Sequence, residues 1–149
     1  MPKYAYKGTE VPVDRTMGKI KDMLYAHGAV EILVGEAPEH DTIQIMFARR
    51  FKFEDEVVKQ PLMISVKFKG RKPAEAMRML YYYLKAKFDA IDWGLVSMEE
   101  AFLPYFMGKL PDGSTGTVAD MMLPHLKKGR LPPMEPFTAP QLTGGDYHD

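Results

Sequence analysis

The stretch Ala29–Gly70, "AVEILVGEAPEHDTIQIMFARRFKFEDEVVKQPLMISVKFKG", decides the fold. Three runs in it alternate with a period of two. "AVEILVG" sets Val30, Ile32 and Val34 against Glu31 and Leu33. "TIQIMFARRFKF" sets Ile43, Ile45 and Phe47 against Gln44, Met46 and Ala48. "PLMISVKFKG" sets Ile64, Val66 and Phe68 against Ser65, Lys67 and Lys69. β-branched and aromatic residues at alternate positions are the mark of a half-buried strand. The connections "EAPEHD" and "EDEVVKQ" are short enough for a meander. The expectation is three antiparallel strands with one face on a core.

Helical spacing appears on both sides of this stretch. In "VPVDRTMGKIKDMLYAHGA", Met17, Ile20 and Leu24 form one stripe, Asp14 is a candidate N-cap and Gly28 a stop. After Gly70, Pro73 suits a first helical turn. Met77, Leu80, Tyr81, Leu84, Phe88 and Ile91 then recur at three and four, up to the stop at Gly94. Tyr82 and Tyr83 step away from that stripe, and Lys85–Asp89 is a surface pair. "SMEE" from Ser97 is a capping box opening a short helix that Pro104 bends or shortens. "LPDGSTG" is turn chemistry. Thr117 caps a last helix, "VADMMLPHLKKG", interrupted by Pro124. The fold predicted is α+β: an N-terminal helix, a three-stranded antiparallel sheet, a long helix packed on it, two short C-terminal helices and an extended tail. The boundary falls between a domain at residues 1–130 and a Pro-rich segment at 131–149, expected to be poorly ordered, with Leu131 or Phe137 as docking residues.

Composition excludes more than it assigns. With 46% apolar residues over 149 positions, one core is expected and global disorder is not. No cysteine is present, so disulfide and thiolate chemistry are out, as fits a reducing cytoplasm. No run of about 18 apolar residues argues for a membrane span, and "MPKYAYKGTE" lacks the apolar stretch of a secretory signal. A soluble protein without membrane association is expected. The histidines, His27, His40, His125 and His148, lack zinc spacing. Glu39-His40-Asp41 reads as an acidic turn before it reads as half of a metal site. "GSTG" could offer amides to a phosphate near Thr117, but the lysine of a phosphate loop is missing. Glu99 and Glu100 are explained by capping. No catalytic set and no cofactor motif is visible.

Charge layout carries the functional reading. Lys plus Arg (20) equals Asp plus Glu (20), so attraction to nucleic acid has to come from local segregation. From Lys67 to Lys87 seven basic residues face one acid, Glu75. Lys67 and Lys69 are expected to share a strand face, as are Arg50 and Lys52. If those strands pair with matching faces, four cations meet on the open side of the sheet. Arg71, Lys72, Tyr82 and Tyr83 then complete a candidate nucleic-acid surface of phosphate-binding cations and stacking aromatics. The plainer reading is that these residues solvate an exposed sheet face and blunt its edge.

Four segments resemble a known family: "VPVDRT" at the first helix, "KAKFDA" in the long helix, "EEAFL", and "LPDG", followed by a Pro-rich end. Their order and spacing are similar to those of small, functionally uncharacterised proteins encoded in bacteriophages and prophages. This chain differs in carrying Tyr81-Tyr82-Tyr83 where that family has aliphatic residues, Thr117 where it has a valine-glycine run, and a longer tail. The resemblance implies a phage or mobile-element origin and a cytoplasmic location in a bacterial host. It implies no activity. The expectation drawn from residues and resemblance together is a non-enzymatic accessory protein binding DNA or RNA in phage DNA metabolism. The alternative is a module that engages a host or phage protein, with the C-terminal tail as its contact; a homo-oligomer also remains open.

Overall fold

The computed structural model describes residues 10–37 and 40–130, the first helical turn (10–13) by its backbone alone. Expectations about Glu39, His148, Leu131, Phe137 and the tail lie outside the described residues. The elements run α1 (Glu10–Ala26), β1 (Ala29–Ala37), β2 (Thr42–Phe53), β3 (Glu56–Lys67), α2 (Pro73–Trp93), α3 (Met98–Phe102), a 3-10 turn (Leu103–Tyr105), β4 (Met107–Lys109), β5 (Thr115–Thr117) and α4 (Val118–Lys127). The architecture is the expected α+β, with the sheet in the order β1-β2-β3, antiparallel throughout. A second, two-stranded sheet, β4–β5, was not expected from the sequence.

The alternation of β2 sends Ile43, Ile45, Phe47 and Phe51 inward, where all are buried. β3 adds Leu62 and Ile64 on the same face. Ile20 and Leu24 of α1, and Met77, Leu80, Leu84 and Phe88 of α2, close over them. Phe102 of α3 is fully buried, with ring centroids 5.1 Å from Phe88 and 6.2 Å from Phe47. One core therefore ties α1, the sheet, α2 and α3 together. The far face of the sheet, with Glu31, Leu33, Met46, Ala48, Lys59, Pro61 and Met63, is left uncovered by these helices.

Several boundaries differ from the sequence reading for identifiable reasons. α1 starts at Glu10, not after Asp14, because Pro12 falls in the first turn, where a missing N–H costs nothing. A bulge between Ala29 and Glu31 turns Ala29 inward and Val30 outward, reversing the expected role of Val30. β3 starts at Glu56, so "EDEVVKQ" is mostly strand and the connection is a tight turn at Glu54-Asp55, with φ +56° at Glu54. Pro61 pairs with Ala48 inside β3; it is tolerated because β3 is an edge strand. Pro124 does not break α4, which runs on to Lys127.

Asp14 lies inside α1 and does not cap it, whereas Gly28, Gly94, Ser97 and Thr117 cap as the sequence suggests. Gly28 (φ +101°) ends α1 and Gly94 (φ +87°) ends α2, both in the left-handed region. A side chain at Gly28 would also meet Arg49 Nε at 2.9 Å. That guanidinium donates to the His27 carbonyl at 2.8 Å and lies 4.8 Å from the Phe51 ring centroid, tying the end of α1 to β2. The His27 ring stacks on Phe88 at 4.0 Å and is hydrogen-bonded to Asp92 near the end of α2. Lys85 and Asp89 pair at 2.8 Å. Ser97 and Glu100 form the capping box of α3, and Thr117 with Asp120 that of α4.

Candidate nucleic-acid interface

Register decides what becomes of the sheet cations. Arg50 and Lys52 point outward from β2, opposite Lys59 and Val57. Lys67 also faces outward, but its partner is Thr42, eight residues along β2 from Arg50. At ~3.3 Å per residue the two groups are about 26 Å apart. Between them β2 and β3 carry Met46, Ala48, Pro61 and Met63, with Gln44 and Ser65, on the outer face and no charged residue. The four cations do not meet. Lys69 is not on the strand either: β3 stops at Lys67, and Phe68–Arg71 is a turn closed by the Arg71 amide on the Phe68 carbonyl at 2.7 Å, with Gly70 at φ +75°. Lys59 is paired with Glu31 on β1.

A different grouping forms at the other end of β3. Its neighbours are β2 on one side and, on the other, a single bridge from Leu62 to Phe106. From Met63 to Lys67 that second edge has no strand partner among the described residues. A groove of about 570 Å³ runs along it. One wall is Ile64, Ser65, Val66 and Lys67, four successive residues. Since successive side chains point to opposite faces, a wall made of all four is the backbone edge itself. The opposite wall is one face of α2, Glu75, Ala76, Met79, Leu80 and Tyr83, at helical spacing. Tyr105 and Arg71 complete the lining.

Lys67 and Arg71 supply positive charge to this groove, and the Lys69–Lys72 turn lies against it. Glu75 is the opposing carboxylate; it reaches back to the Lys72 amide at 3.5 Å, at the start of α2. The aromatic part is held from behind. The Tyr83 and Tyr105 hydroxyls are hydrogen-bonded to each other. Lys87 lies 4.9 Å from the Tyr83 ring centroid and donates to the Ala101 carbonyl at 2.8 Å, so one ring face is already used. Burial pushes the Tyr105 phenol well above the usual tyrosine range, reinforced by the Tyr83 hydrogen bond, so Tyr105 stays neutral. Met79, with two-thirds of its surface exposed, offers an apolar contact at the mouth.

Of the residues singled out in the sequence, Lys67, Arg71 and Tyr83 line one groove, and Lys69 and Lys72 flank it. Arg50 and Lys52 are at the far end of the sheet. Tyr82 is exposed and packs edge-on to Tyr81 at 5.4 Å, outside the groove lining. Sequence reasoning missed Met79 and Tyr105. Met79 sits outside the core stripe, and Tyr105 is aimed by the 3-10 turn after Phe102. The one local signal for that turn was Pro104.

Other candidate chemistry recedes. Among the described residues no cluster of three or more His, Asp or Glu could hold a metal ion. The Thr117 hydroxyl accepts from the Asp120 amide at 3.2 Å, and the Asp120 carboxylate from the Thr117 amide at 2.9 Å, so side chains fill the start of α4 where "GSTG" could have met a phosphate. Glu100 is engaged with Ser97 in the same way. No described helix is long and apolar enough to cross a membrane. No family model, curated protein or solved structure matches the chain.

Proposed function

We propose that the protein is a non-enzymatic accessory factor that binds single-stranded nucleic acid through the groove between β3 and α2. The observation carrying this reading is the convergence there of Lys67 and Arg71 with Tyr83 and Tyr105. Cations and aromatic rings lining one groove suit the two parts of a nucleotide, phosphate at Lys67 and Arg71 and base against Tyr83, Tyr105 and Met79. A groove of this size takes an unpaired base, whereas a duplex would need a broad basic surface, and the outer sheet face has none. The resemblance to phage and prophage proteins is the reason for reading the ligand as an intermediate of phage replication or recombination. A host- or phage-protein partner is the second reading, favoured by the exposed Leu33 beside Met46 and Pro61 on the uncovered face.

Fluorescence anisotropy with labelled single-stranded and duplex oligonucleotides tests it. Lys67→Glu with Arg71→Glu should weaken single-strand binding at least about tenfold and lower the salt slope by about one for each phosphate no longer engaged. Affinity indifferent both to that double reversal and to a rise from about 50 to about 200 mM salt would rule the reading out.

A further inference from the structure

A backbone edge facing a helix across a groove is also the geometry in which an extended peptide adds to a sheet. Main-chain hydrogen bonds then run to the strand, and alternate side chains enter against the helix. We propose that the chain's own segment Gln141–Asp149 docks in this way on Met63–Lys67, adding a fourth strand and closing the groove to other ligands. The competition with nucleic acid rests on the function proposed above; the docking does not.

Three observations select this occupant. The first is charge. Residues 131–149 contain Glu135, Asp146 and Asp149 and no Lys or Arg, whereas the groove presents Lys67 and Arg71 beside Lys69 and Lys72. The second is proline placement. Pro132, Pro133, Pro136 and Pro140 remove ladder donors before Gln141, and from Gln141 to Asp149 every residue has an N–H. Within that run Leu142 and Tyr147 are the apolar side chains available to meet Met79, Tyr83 and Tyr105. The third is reach. Residues 131–140 extend to about 33–36 Å, comparable with the diameter of a domain whose radius of gyration is about 13–14 Å. They start beyond α4, which packs against the 3-10 turn carrying Tyr105.

The experiment uses the full chain. Amide hydrogen exchange at Met63–Lys67 is compared between the native sequence and the double variant Leu142→Pro, Tyr147→Pro, which removes ladder donors without touching any core residue. The variant's edge amides should exchange at least about tenfold faster, and Asp146→Lys with Asp149→Lys should produce part of that change. A labelled peptide of residues 141–149 should bind the proline variant and not the native chain. Equal exchange in both chains with no peptide binding overturns the docking. Protection that grows with protein concentration overturns the in-chain form in favour of exchange between copies. Oligonucleotide affinity is read in parallel. If the proline variant binds single strands more tightly, competition is supported. If docking is seen but no chain binds nucleic acid, the function proposed above fails while the docking stands.

Discussion

Tyr105 shows how much one side chain can decide. It is half-buried in the groove lining and bonded to Tyr83, and burial, then that bond, hold its phenol above the ordinary range. A group whose folded pKa is raised contributes stability that is fully present below its unfolded value, about 10, and is lost as pH rises through the folded one. Tyr105→Phe should therefore flatten the alkaline limb of the stability curve, seen as a smaller loss of thermal midpoint between neutral and strongly alkaline pH. It should also remove one late-titrating phenol from the absorbance titration. The tyrosine run itself was legible: the sequence separates Tyr81 from Tyr82 and Tyr83 by angle alone. What each would touch was not, because the partner of Tyr83 lies 22 residues away and is aimed by a turn.

Short elements here are held by caps more than by length. α3 has five residues, too few to be stable alone, yet it places the fully buried Phe102. Ser97→Ala should cost about 1 kcal/mol in chemical denaturation. Glu100 is held below its usual carboxyl range, first by the Ser97 amide and then by the Ser97 hydroxyl. A depressed carboxyl contributes stability that is present above its unfolded value, about 4.3, and lost as pH falls through the folded one. Glu100→Gln should accordingly lose less of its thermal midpoint on acidification than the native chain. These caps were readable because a capping box is local. The β4–β5 hairpin was not: its strands have three residues each and are fixed by tertiary bonds, such as Gln60 Nε2 to the Met107 carbonyl at 2.8 Å. Strand faces in β2 followed from period two, but the pairing offset between β2 and β3 did not. That offset depends on a tight turn at Glu54-Asp55 with no glycine or asparagine to announce it, and it separates Lys67 from Arg50.

At the scale of the molecule, Arg50 and Lys52 stand at one end of the sheet, beside the acidic Glu54–Glu56 turn, and Lys67 and Arg71 at the other. Because the intervening distance exceeds a Debye length of about 8 Å at physiological salt, the two act independently. Arg50→Glu with Lys52→Glu should leave single-strand affinity within about threefold of native, while the Lys67 and Arg71 reversals weaken it at least about tenfold, in the same anisotropy titration. The core behaves as one body under this division, since Phe102, Phe88 and Phe47 link the last helix of the core to the centre of the sheet.

Pro61 has a consequence for solubility. It removes one ladder donor from β3, and with the Leu62–Phe106 bridge it divides the strand's outer edge, so that Met63–Lys67 is a short stretch without a strand partner among the described residues. That is shorter than the roughly six or seven residues from which cross-β fibres are seeded. The opposite margin, β1, is kinked by its bulge and carries Glu31 and Glu36, which discourage stacking. The sheet can thus recruit one brief strand without serving as a template for endless growth.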